Sequence, residues 1–119
     1  MAYIKSYKQL IVWQKSIELV KAIFKLTESF PKSELYGLAS QIRRAAVSIP
    51  ANIAEGYGRR SKKEYSYFYS VSYGSALELE TLLIIAKDLR FSNQKIMEKC
   101  GLLLTEVAKM LNHMTRTKS

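Results

Sequence analysis

Apolar residues recur at helical spacing along nearly the whole chain. Leu10, Trp13, Ile17, Val20 and Phe24 follow 3–4 spacing, Val12, Leu19, Ile23 and Leu26 widen the stripe, and Lys15, Glu18, Lys21 and Lys25 fall outside it. This predicts a first helix from about Lys8 to Glu28. "SFPKSE" stops it, because Phe30 precedes Pro31 and is pushed out of the α region. Ser33 is the expected cap of a second helix from about Glu34 to Tyr57, with Leu38, Ile42, Ala46, Ile49 and Ile53 as its stripe and Gly56 and Gly58 at its end. "SKKE" at 61–64 is a capping box that opens a third helix. That helix continues to about Leu89 through Phe68, Val71, Ser75, Leu79, Leu82 and Ala86. Arg90 and Phe91 make a turn, and Ser92 or Asn93 caps a fourth helix built on Ile96, Cys100, Leu103, Val107, Met110 and Met114.

"YSYFYSVSY" at 65–73 comes closest to a strand, but the capping box before it and "ALELETLLIIAKDL" after it favour helix. Long amphipathic helices joined by short connections imply an all-α fold, an antiparallel up-down-up-down four-helix bundle, as one domain over 1–119.

The second helix departs from a simple amphipathic pattern. Pro50 lies in its interior, frees the carbonyl of Ala46 and is expected to bend it. Gln41, Ala45, Ser48, Asn52, Glu55 and Arg59 form a largely polar stripe beside the apolar one. Gln41, Ser48, Asn52, Glu55 and, on the third helix, Glu78 are expected to form a polar network that sets helix register. Within it Glu55 reaches Arg59 at i,i+4, and Arg44 partners a half-buried Glu78. Val47, Pro50, Ala54 and Tyr57 occupy the remaining surface, where a lone bundle would show water a charged back. They are the expected interface with another copy of the chain.

Charge changes the picture more than size does. Nineteen Lys and Arg against ten Asp and Glu give a net charge of +9, which suggests a polyanionic partner. The single cysteine, Cys100, cannot form an internal disulfide, consistent with a reducing compartment. The N-terminal stretch lacks the apolar run and cleavage site of a signal peptide, and "LLIIA" at 82–86 is too short to span a membrane. A soluble, cytoplasmic protein without a membrane partner is expected.

Enzyme chemistry does not find its residues. His113 is the sole histidine, so the Glu-x-x-His pairs of di-iron bundles and the clustered Cys and His of zinc sites are missing. A bundle ribonuclease using a closely spaced Arg and His lacks the arginine, since "KMLN" precedes His113. "GYGRR" at 56–60 follows a helix, not a strand, and reads as a helix stop rather than a phosphate loop. No enzymatic activity, metal or cofactor is expected. Tyr65, Tyr69 and Tyr73 share a face, expected to pack rather than to stack on bases.

"SQIRRAAVSIPANIAEG" followed by "GSALELE", within residues 36–83, and "LIVWQKSIELV" upstream resemble the bundle proteins encoded in intervening sequences of bacterial 23S rRNA genes, the S23 family. The resemblance covers nearly the whole chain. It implies a four-helix bundle in a ring-like homopentamer and kinship with the accessory variability protein of diversity-generating retroelements, a basic barrel that binds a reverse transcriptase and nucleic acid. It brings no catalytic residues. Arg43, Arg44, Arg59 and Arg60 match the family's basic positions.

In an up-down bundle the start of the first helix, the second turn and the end of the fourth helix lie together. Lys5, Lys8, Arg59, Arg60, Lys62, Lys63, Arg116 and Lys118 then gather at one end. At the other, Glu28, Glu34, Asp88 and Glu98 largely offset Lys25, Lys32, Lys87, Arg90, Lys95 and Lys99. RNA or DNA binding through the basic end, by phosphate contacts, is the expected function. The alternative is a protein-interaction scaffold, for example for a reverse transcriptase or another nucleic-acid enzyme.

Overall fold

The computed structural model describes residues 5–116. Four helices carry the fold: α1 (Ile11–Glu28), α2 (Leu38–Tyr57), α3 (Lys62–Asp88) and α4 (Gln94–Arg116). Single 3-10 turns precede the first two, at Tyr7–Gln9 and Lys32–Glu34. Among the described residues there is no strand.

Local chemistry explains where the ends fall. The Ser6 hydroxyl accepts from the Lys8 amide and caps the first 3-10 turn, and extended Leu10 separates that turn from α1, which therefore starts at Ile11 rather than at the expected Lys8. Ser33 does not cap α2. Glu34 sits in the 3-10 turn, and its Oε1 accepts from the Leu38 amide at 3.3 Å, so α2 begins at Leu38. At α3, the Ser61 hydroxyl accepts from the Glu64 amide at 3.1 Å and donates to Glu64 Oε1 at 3.0 Å. The Glu64 carboxylate thus closes on the hydroxyl, a variant of the expected capping box. Arg90 ends α3 in the left-handed region with φ 58°. Phe91 N–H donates to Ala86 O and Arg90 N–H to Lys87 O, the two bonds of a Schellman closure, with arginine where glycine is usual. Asn93, rather than Ser92, caps α4: its Oδ1 accepts from the Lys95 and Ile96 amides.

Contacts along the helices fix their directions. Arg43 meets Thr27, Ser75 meets Ser48, Lys15 meets Glu106, and the rings of Phe30 and Phe91 meet at 5.7 Å where the first and third connections turn. Joined by short connections and meeting at these points, successive helices are antiparallel. The helices pack in the order α1–α2–α3–α4 and back to α1, an up-down-up-down bundle of 46 × 25 × 20 Å. Leu19, Ile23, Leu26, Ile42, Ile49, Ile53, Leu79, Val107 and Leu111 are fully buried along its axis.

α2 runs unbroken through Pro50, and Pro50 is buried. It lies two turns from Arg43, which reaches Thr27 of α1, so this side of α2 faces α1. The other side packs unusually close to α3. A Cβ at Gly56 would stand 2.7 Å from the Tyr69 ring and 3.1 Å from Phe68 Cβ, so glycine is what lets the helices approach. Fully buried Ser72 donates to the Ile49 carbonyl across the same seam at 2.9 Å.

Candidate nucleic-acid interface

The antiparallel register brings the start of α1, the α2–α3 turn and the end of α4 to one end of the bundle. Lys5, Lys8, Arg59, Arg60, Lys62, Lys63 and Arg116 are exposed there. Lys118 lies outside the described residues. Glu55 and Glu64 are the acidic neighbours. Both are already engaged, Glu55 by the Arg59 guanidinium and Glu64 at the α3 cap.

The candidate cations are not equivalent. Arg59 is held by Glu55 and lies over the Phe68 ring at 4.7 Å, which fixes its charge against the bundle. Arg116 donates from Nε to Asn112 Oδ1 at 2.8 Å. Lys8 lies 6.0 Å from the Tyr7 ring centroid. Arg43 stands apart from the cluster. It is half-buried, donates from Nε to Thr27 Oγ1 at 2.7 Å and covers the Phe24 ring at 4.8 Å. A guanidinium so used ties α2 to α1 and sets Arg43 apart from the cations of the basic end. Arg44 is exposed on α2 at a cleft between α2 and α3, shared with Gln41, Ala45, Ser48, Ser75 and Glu78, away from the basic end.

The expected polar network is half realised. The hydroxyls of Ser48 and Ser75 are 2.9 Å apart, and Asn52 Nδ2 donates to the Ser48 carbonyl at 2.8 Å and to its hydroxyl at 2.9 Å. Glu55 reaches Arg59 as its spacing requires. Gln41 and Glu78, however, are exposed, and no ion pair joins Glu78 to Arg44 among the described residues. The cleft is open to water at this point, so neither carboxylate nor guanidinium needs the other for solvation. Ser72 and Ser75 take the place expected of Glu78.

The expected oligomer face is also narrower. Val47 is 43% exposed, Ala54 and Tyr57 are half-buried, and Pro50 is corrected from interface to interior, covered on the α1 side. Arg44, Val47 and Ala51 form the exposed back of α2. Larger apolar side chains stand out on α3 and α4, with Leu77 44%, Ile84 57% and Leu102 75% exposed. Leu83, Ile84, Met97, Gly101 and Leu104 line an apolar cleft of about 220 Å³ between those helices.

Reactive groups are quiet. Burial pushes the Cys100 thiol up to about 11, against a smaller opposing pull from Lys99, so it stays protonated at neutral pH. Burial, then the neighbouring Tyr65 and Tyr57, raise the Tyr69 phenol. Tyr69 and Tyr73 pack on the core, and Tyr65 lies 5.8 Å from Tyr69. No cluster of three or more His, Cys, Asp or Glu able to hold a metal occurs among the described residues. Nor is any helix there long and apolar enough to cross a membrane.

The model of the 23S rRNA-intervening sequence protein family matches residues 8–113, from the first 3-10 turn to the last turns of α4. The chain belongs to this family. A crystal structure from the S23 ribosomal protein family, a protein of unknown function from Bacteroides thetaiotaomicron, superposes with a TM-score of 0.82 at 24% identity, over 90% of this chain and all of that one. At that identity the likeness carries the four-helix fold. No curated protein matches the chain. The segments that carry the resemblance, "SQIRRAAVSIPANIAEG" and "GSALELE", face each other across the α2–α3 seam. There the Ser48–Ser75 contact joins them, and Ser72, two residues before the second segment, donates to Ile49 of the first. One exposed aromatic at the basic end, Tyr67 at 63%, escaped the sequence reading. Its signal was present: it stands four residues after Lys63, on the same helical face.

Proposed function

We propose that this protein is a non-enzymatic, basic bundle that self-assembles and binds RNA or DNA by phosphate contacts through the end carrying Lys5, Lys8, Arg60, Lys62 and Lys63. The exposed cations gathered on that end by the antiparallel register carry the reading. Phosphate contacts need exposed cations rather than a shaped pocket, and they bring affinity without sequence preference. Arg59 supports the site by neutralising Glu55, which otherwise would repel a phosphate. A ring of copies would repeat the patch and multiply its affinity through effective concentration. The ring of five remains the family expectation for that assembly. The test is a titration of labelled RNA and DNA at low salt with wild type and with Arg60→Glu/Lys62→Glu/Lys63→Glu. Affinity should fall at least tenfold while helical content is kept. Equal affinity in a folded variant would contradict this site.

A second reading, a scaffold for a nucleic-acid enzyme, draws support from the exposed Leu77, Ile84 and Leu102 and the apolar α3–α4 cleft. With the expected kinship to the retroelement accessory protein, that enzyme would be a reverse transcriptase. The two readings are compatible, since they use different faces.

A further inference from the structure

We propose that Tyr67 is a stacking platform for the bases of a single-stranded polynucleotide whose phosphates lie along Lys63 and Arg60, an inference that rests on the nucleic-acid reading above. The first turns of α3 carry four aromatic residues, and three are committed inward. Tyr65 and Tyr69 contact each other, Tyr69 packs on the core and against Gly56, and Phe68 lies under the Arg59 guanidinium. Tyr67 alone of the four is mostly in water, 63% exposed.

Its ring is nevertheless supported. Tyr67 meets Phe68 edge to face, with centroids 5.2 Å apart and planes at 80°. Phe68 is clamped by Arg59, and Arg59 by Glu55. The chain Glu55–Arg59–Phe68–Tyr67 thus holds an exposed aromatic ring from behind, which lowers the ordering cost of stacking on it. Lys63 precedes Tyr67 by one helical turn on the same face, and exposed Ser70 and Gly74 continue that stripe. A Cβ at Gly74 would meet nothing within 4 Å, so no side chain overhangs the path.

A lysine beside an open, supported ring pairs phosphate attraction with a π-face that any base can cover. A duplex keeps its base faces stacked on one another and leaves Tyr67 nothing to cover. The chemistry therefore selects single strands over duplexes, without selecting sequence.

The test is fluorescence anisotropy with labelled oligouridine and oligothymidine of about 15 nucleotides, and an RNA hairpin of equal charge closed by a compact, internally stacked loop, against wild type, Tyr67→Ala and Tyr67→Phe. The two single-stranded probes distinguish RNA from DNA, and tighter binding of either than of the hairpin supports the proposal. Tyr67→Ala should weaken single-strand binding roughly 5- to 100-fold, with hairpin affinity and salt slope unchanged, and Tyr67→Phe should match wild type. In a Tyr67→Trp variant, added indole fluorescence should be quenched by the single strands, a readout independent of affinity. Single-strand affinity unchanged in Tyr67→Ala, or lost equally for single strand and hairpin, would overturn the stacking role while leaving phosphate binding in place. Failure of wild type to bind any probe at low salt would overturn both.

Discussion

Arg43 and Arg44 are adjacent in the chain and about 100° apart around α2, and that rotation separates their roles. Arg43 turns to α1, where Thr27 and Phe24 occupy its guanidinium, while Arg44 turns to water. Arg43→Ala should therefore destabilise the fold by about 1–3 kcal/mol, lost with the charged hydrogen bond and the ring contact, and leave nucleic-acid affinity unchanged. A denaturant melt and a binding titration on the same variant check both halves. The difference was not legible in "QIRRAA", because Thr27 lies sixteen residues upstream and only the packing of α1 on α2 selects which arginine meets it. Tyr67 was hidden for a related reason. In a run of aromatics the sequence shows that one face must be buried, but the depth of each ring depends on how closely Gly56 lets α2 approach.

At the level of elements, periodicity carried most of the information. All four helices were legible from apolar spacing, and the Ser61 cap from its own residues. The starts of α1 and α2 were not, since single 3-10 turns conceal themselves in the same apolar period. The stripe of Val47, Pro50, Ala54 and Tyr57 straddles an edge of α2 instead of forming one outer face. Its Pro50 side is covered by α1 and its Val47 side is exposed. The α2–α3 seam is knit by hydroxyls and one amide rather than by carboxylates. Asn52→Ala should cost about 1–2 kcal/mol by leaving Ser48 poorly partnered, whereas Glu78→Ala, at an exposed position, should stay within about 0.5 kcal/mol of wild type. Paired thermal melts of the two variants check this order, and a larger loss for Glu78→Ala would restore the carboxylate to the network.

For the whole molecule, the fold separates a strongly basic end from one where acidic residues offset most of the lysines and arginines, and leaves apolar residues on its flanks. Self-assembly through the back of α2 predicts that Val47→Glu lowers the solution mass measured by light scattering while helical content is kept. A wild-type mass of one chain at micromolar concentration would remove the α2 interface from the account. The most direct measure of the central claim is the salt dependence of nucleic-acid binding by wild type. If Lys5, Lys8, Arg60, Lys62 and Lys63 each neutralise a phosphate of a single strand, the logarithm of the association constant should fall against the logarithm of salt concentration with a slope of about −3.5. A slope near zero, or no binding even at the lowest salt, would contradict the proposal that this end of the bundle is a phosphate-binding surface.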